Sequence, residues 1–289
     1  MASSSSALGE ATREWFSDRD LQKLASTWSA PMVTAVVVAT YTLIFILVRV
    51  FGPYRPSRTP GWDTKTRLDA NTRVVGFVNI GVCLFTCGRL LADPATFEAL
   101  TRLEEAAFGT SPVRDFYLLV VAAYMIYDMA IVVYFYRAIG DPLMIVHHVV
   151  IIVAIQVGVQ HRAATFYIAV LFMNELSTIF LNTRYLLLHM GRKDSSIYIY
   201  NGIALVLSFF FSRILPIFLL LLHAAYAWWV LAFVEGLYWE RPWSDRLLFG
   251  GLTALLLSHF VLNCFWFHKI VAAARRGLRR FWDADQKEQ

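Results

Sequence analysis

A small set of polar side chains lies in the most apolar parts of this sequence. His147 and His148 are adjacent, Asp128 precedes them, Asn174-Glu175 follow, and Arg213 comes later, each within a long run of aliphatic and aromatic residues. An ionisable group at the centre of such a run costs at least about 2.5–3.5 kcal/mol on insertion scales, so it needs a partner or a wet cavity, and function is to be sought there. Imidazole titrates near neutrality and can act as nucleophile or general base when a carboxylate holds its second nitrogen. Asp128 is placed to do that, so His147 and His148 are the candidate catalytic pair. Adjacent helical residues point about 100° apart, so only one histidine can face a given point. Spacing alone favours the plainer alternative, two hydrogen-bonded packing histidines near a span end.

Asn174 and Glu175 sit near the middle of one apolar run and Arg213 at nearly the same depth of the next, each roughly 20 Å from the shared end at a rise of about 1.5 Å per residue. A buried Glu175–Arg213 ion pair is therefore expected, either fixing helix register or facing a substrate. A second polar layer nearer that end comprises Asn79, Asp128, His147, His148, Asn182, Arg184 and Asn201, drawn from five helices. It reads as a wet cavity open to that end and narrowing to Glu175. Asp128, Asn174, Arg213, Asn182, Arg184, Asn201 and Asn79 are the candidate lipid- or substrate-binding residues. His161, His189, His223, His259 and His268 are scattered rather than boxed, so no metal site is expected, and no cofactor either.

These residues need long helices to place them. Hydrophobic residues make up 58% of the 289 residues and charged ones 16%, against roughly 45–50% and 25% in an ordinary soluble domain. The surplus must face lipid. The apolar residues come in runs of about twenty, the length that crosses a bilayer. Spans are expected at about 31–51, 73–92, 114–136, 142–160, 163–189, 197–234 and 246–271. The sixth is overlong and holds Pro216, so residues 217–235 either cross the membrane or lie at its surface, where Trp228 and Trp229 suit an aromatic belt. Gly140 can end one helix while Asp141 caps and Pro142 opens the next. Cys83, Cys87 and Cys264 fall within apolar runs and read as small core hydrophobes.

With seven spans, one side collects Arg49, Arg55, Arg58, Lys65, Arg67, Arg73, Arg137, Arg192, Lys193 and the basic tail from Lys269 to Lys287. The positive-inside bias puts that side in the cytosol and the N-terminus in the lumen. Eight spans would put the two most basic segments on opposite sides. The net charge of +5 is thus a topology signal, and no basic face of a soluble module suggests nucleic acid. The expected organisation is a lumenal segment 1–30, a first helix 31–51, a basic connector 52–72, a helical domain 73–272 and a cytosolic tail 273–289.

The stretch "YDMAIVVYFYRAIGDPLMIVHHVVIIVAIQVG", with "FMNELSTIFLNTRYLL" and "NGIALVLSFFFSRILP", resembles the TLC-domain family of multi-pass membrane proteins over about residues 68–272. The resemblance implies an all-α membrane fold of seven transmembrane helices, a six-helix bundle preceded by one extra span. In the ceramide synthases of that family a His-His pair is followed by a His-Asp pair and a further Asp. On this chain Asn174, Glu175 and Thr178 stand at those later positions, so the acyltransferase motif is incomplete. "NELS" and "NTR" look more like the small non-synthase members linked to lipid homeostasis, although Asn79 stands where many of those carry a histidine.

Three functions follow in order. The first is an endoplasmic reticulum protein, with the plasma membrane as the other location, that holds an acyl lipid in its bundle and adjusts membrane lipid composition. The second is an N-acyltransferase of ceramide synthase type. There His147 or His148 would take the acyl group or deprotonate an amine, Glu175 would orient the second substrate, and Arg137, Arg184, Arg192 and Lys193 would bind the phosphates of acyl-CoA. The third is a seven-span receptor or transporter, for which neither a switch motif nor an internal repeat is visible. Oligomeric state is open.

Overall fold

A computed structural model describes residues 23, 27–91, 94–109 and 111–288, with the side chains of 91, 94–97 and 280–288 left out. The expected lumenal segment 1–30 lies mostly outside those residues, as does Asp93 at the expected end of the second span. Among the described residues there is no strand. Also among the described residues, seven helices are long and apolar enough to cross a membrane: Ala30–Phe51, Thr64–Leu90, Leu103–Tyr134, Pro142–His161, Thr165–His189, Ser196–Val234 and Trp243–Arg279. They are called spans one to seven.

Local chemistry sets their ends. Asp63 precedes span two and accepts the Thr66 N–H at 2.7 Å, and its hydrogen bonds from Thr66 hold its carboxyl below the ordinary carboxylate range. Span two consequently starts at Thr64, earlier than hydropathy suggested, because a capped polar turn extends the helix below the apolar run. Ser111 caps the main helix of span three, Pro112–Tyr134. Asp141 accepts the Leu143 N–H at 2.9 Å, with Pro142 opening span four. Arg162 and Ala164 adopt left-handed φ of 55° and 56° to make the tight turn into span five.

Span six does not break at Pro216. A π-turn at Phe210–Ile214 precedes the proline, and this wider turn accommodates a ring that would otherwise press on the carbonyl four residues back. Residues 217–234 therefore continue the same helix, with a second π-turn at Val230–Val234.

Packing closes six spans into a ring. Span two lies against five, five against six, six against seven, seven against four, four against three, and three returns to two. Span one sits outside, along the seam between two and three, where Tyr41 and Phe45 are buried. Short connections make successive spans antiparallel, so the loops rich in Arg and Lys gather at one end, the basic end. At the far end residues 98–109 fold over the ring. The Ala107 carbonyl accepts Ala164 N–H at 2.8 Å and that of Gly109 accepts Thr165 Oγ1 at 3.1 Å, while Glu104 pairs with Arg241.

Candidate functional site

Two irregular turns meet inside the ring. Leu171–Asn174 of span five form a 3-10 turn, tighter than an α-helix, and it touches the looser π-turn of span six that carries Arg213. From there Arg213 donates Nε to the Asn174 carbonyl at 3.0 Å and to Ser177 Oγ at 2.7 Å. Nη2 donates to Thr178 Oγ1 at 2.8 Å and Nη1 to Asn263 Oδ1 of span seven at 3.4 Å. All three guanidinium nitrogens have oxygen partners, and all of these oxygens are neutral.

The expected Glu175–Arg213 ion pair is therefore absent: among the described residues Glu175 has no ion-pair partner. Depth matched, but the direction around the helix did not. Ser177 and Thr178 are the side chains that face Arg213, and Glu175, just after the 3-10 turn, lines the central cavity instead.

The two histidines divide as their angular offset requires. His148 Nε2 lies 3.3 Å from Asp128 Oδ2, between spans four and three. His147 turns into the cavity, stacks on His259 of span seven with ring centroids 5.3 Å apart and planes at 15°, and meets the edge of Trp266 at 5.2 Å. His259 Nε2 is 3.1 Å from Asn174 Nδ2. Three buried polar atoms of this cluster, Nδ1 of His147, Nδ1 of His148 and Oδ1 of Asn174, have no hydrogen-bond partner among the described residues.

The other candidates lie elsewhere. Asn79 accepts the Tyr41 hydroxyl at 3.3 Å on the seam covered by span one. Asn182 accepts Arg73 Nη1 at 3.0 Å, and Asn201 Nδ2 donates to the Phe180 carbonyl at 2.9 Å. Arg184 donates to the Tyr198 carbonyl at 3.3 Å near the basic end. These four, with Asp128, stand outside the central cavity, so the expected polar layer around one cavity is mainly a set of contacts between helices. The cavity also runs the other way from the one expected. Beyond its polar end of His147, Asn174, Glu175, Arg213 and His259, it extends toward the far end between Ala154, Tyr167, Ala224 and Leu252.

Each of the six ring spans contributes to its wall, and span one does not. The unfilled volume is about 80 Å³, where one water needs roughly 10–15 Å³. That leaves room for several water-sized groups between mostly apolar walls. Among the described residues no group of three His, Cys, Asp or Glu side chains is placed to hold a metal ion.

Sequence reasoning counted His259 among the scattered histidines and passed over Asn263 and Trp266. Their i, i+4, i+7 spacing on span seven was the available signal, since it puts a polar stripe on one face of an apolar helix.

The family model of the TLC domain matches residues 69–272, the segment that forms the ring. This chain belongs to the TLC domain family. The TLC domain-containing protein 4 of Homo sapiens is 25% identical over 187 residues, 63% of this chain and 68% of the relative. An uncharacterized TLC domain-containing protein of Schizosaccharomyces pombe is 26% identical over 246 residues, 82% and 76% of the two chains. The TLC domain-containing protein 4 of Xenopus tropicalis is 27% identical over 157 residues, 52% and 56%. No solved structure matches.

Proposed function

We propose that this TLC-domain protein holds one acyl chain of a membrane lipid in its ring and, by binding, sensing or transferring it, adjusts membrane lipid composition. One observation carries this reading. The cavity is lined by apolar side chains for most of its length and ends at a polar cluster in which His147 Nδ1 and Asn174 Oδ1 have no hydrogen-bond partner among the described residues, beside Glu175. That division matches an amphiphile: a chain among Ala154, Ile155, Ala224 and Leu252, and a polar group at His147, Asn174 and Glu175. The excess of Lys and Arg at the basic end supports a cytosolic orientation for that end, with the N-terminus in the lumen of the endoplasmic reticulum.

A second reading, acyl transfer from acyl-CoA, is favoured by the His148–Asp128 contact, which resembles an oriented general base. Against it, the histidine that lines the cavity, His147, has no carboxylate partner among the described residues. The base-like pair and the cavity are thus offset by one residue.

The test is native mass spectrometry of the full chain purified in mild detergent, followed by incubation with labelled long-chain acyl-CoA and intact-mass analysis. A co-purified acyl lipid that is lost in Ala154→Leu, with no covalent adduct, is the expected result. An acyl adduct that disappears in His147→Ala or His148→Ala would replace binding with catalysis. Neither lipid nor adduct would overturn both readings.

A further inference from the structure

A second concavity lies at the basic end, away from the ring cavity and independent of whatever that cavity holds. It has a volume of about 340 Å³ and sits where the end of span five, the loop 190–195, the start of span six and the last turns of span seven come together. Its polar lining carries Arg184, Lys193 and Arg276 against the single carboxylate of Asp194, and its floor is apolar, with Ile199, Ile203 and Leu278. None of the three cations has an ion-pair partner among the described residues.

Arg184 is held in position before any ligand arrives. Its guanidinium lies 4.0 Å from the centre of the Tyr198 ring, and Nη1 donates to the Tyr198 carbonyl at 3.3 Å. Gly202 makes the space: a Cβ there would come within 2.7 Å of Arg184 Nη1. The remaining guanidinium N–H groups are left for a second acceptor. Span six also begins here. The Ser195 hydroxyl donates to the Arg192 carbonyl at 2.6 Å instead of capping the helix, so the first N–H groups of the helix add positive potential.

We propose that this concavity binds the phosphate ester of an anionic phospholipid. A fixed guanidinium with two exposed cations suits a phosphate oxygen cluster, and basic pockets between membrane helices on the cytosolic side recognise such headgroups. The apolar floor separates a lipid from free phosphate, because only a lipid brings a glycerol and chain stems to cover Ile199, Ile203 and Leu278.

The test uses the full chain, delipidated in detergent, and measures binding of dioctanoyl phosphatidic acid, dioctanoyl phosphatidylcholine and inorganic phosphate. Phosphatidic acid is expected to bind at least tenfold more tightly than phosphatidylcholine, and inorganic phosphate to compete only at far higher concentration. Lys193→Gln with Arg276→Gln, both at exposed positions, is expected to weaken phosphatidic acid at least tenfold with an unchanged thermal melt. Gly202→Ala is expected to weaken it by displacing Arg184, while Arg58→Gln, exposed and outside the concavity, leaves it unchanged. Equal binding of the two lipids, undiminished binding in the double variant, or an equal loss in Arg58→Gln would overturn the proposal. Competition by inorganic phosphate at equal concentration would overturn the lipid assignment.

Discussion

Two polar sets lie side by side in the ring and use their hydrogen-bonding capacity differently. Around Arg213, the guanidinium nitrogens all donate to oxygens drawn from spans five and seven. Around His147, its own Nδ1 and the Asn174 Oδ1 are buried without partners, and Glu175 makes no ion pair within 4 Å among the described residues. A saturated network fixes helix positions and has little left to offer a ligand. An unsaturated one costs stability and leaves groups for something that enters. The Arg213 set therefore reads as the structural member and the His147 set as the binding member, although both line the same cavity.

The sharpest way to break this contrast is Arg213→Met. It orphans several buried acceptors at about 1–3 kcal/mol each, a large share of the roughly 5–15 kcal/mol that stabilises a typical protein. The purified variant should show the largest fall in melting temperature of any described here, or fail to accumulate. Asp128→Ala comes next, since it leaves His148 without its acceptor. A loss of about 1–3 kcal/mol is expected, largely restored in Asp128→Asn, with thermal melts of both in detergent as the check.

Glu175→Gln reverses the emphasis. Because Glu175 makes no direct contact with Arg213, whose nitrogens donate elsewhere, stability should fall by less than the roughly 1–3 kcal/mol of an orphaned buried group, and retention of co-purified lipid should change more than the melt does. A collapse in stability equal to that of Arg213→Met would return the two residues to a single ion-paired unit. Smallest in stability is Ala154→Leu, which adds methylenes to space already empty, so the usual overpacking cost of about 1–3 kcal/mol should be mostly avoided. Its expected effect is loss of bound lipid with a near-unchanged melt, read by native mass spectrometry. Undisturbed lipid in that variant would place the chain elsewhere.

Much of the architecture was legible in advance because it depends on one-dimensional quantities. Span number follows from run lengths, the Asp141 cap and the Pro142 start from local backbone chemistry, and the shared basic end from charge counting. The division of labour between His147 and His148 was legible too, as an angular offset, without indicating which would turn to Asp128. Less was legible at the site. Depth along consecutive helices brought Glu175 and Arg213 to one level, but partner choice depends on rotation about each helix axis. That rotation was set by a 3-10 turn in span five and a π-turn in span six, neither of which has a periodic sequence signature. Asn79, Asn182 and Asn201 shared a level with the histidines, yet each found a partner on an adjacent helix before reaching the centre. His259 was set aside as a scattered histidine because it is far along the chain, and span seven comes beside span four only when the ring closes.

The sequence by itself determined that this chain crosses a membrane seven times, which end of the bundle is basic, and which polar residues pay for being buried in lipid. These follow from composition and spacing, which no neighbour can alter. The tertiary structure decided that six spans close around a cavity while the first stays outside. It also decided that Arg213 is satisfied by neutral oxygens and that Glu175, His147 and His259 share one wall. Those outcomes depend on how helices rotate and pack against one another, and so appear only once all six have taken their places.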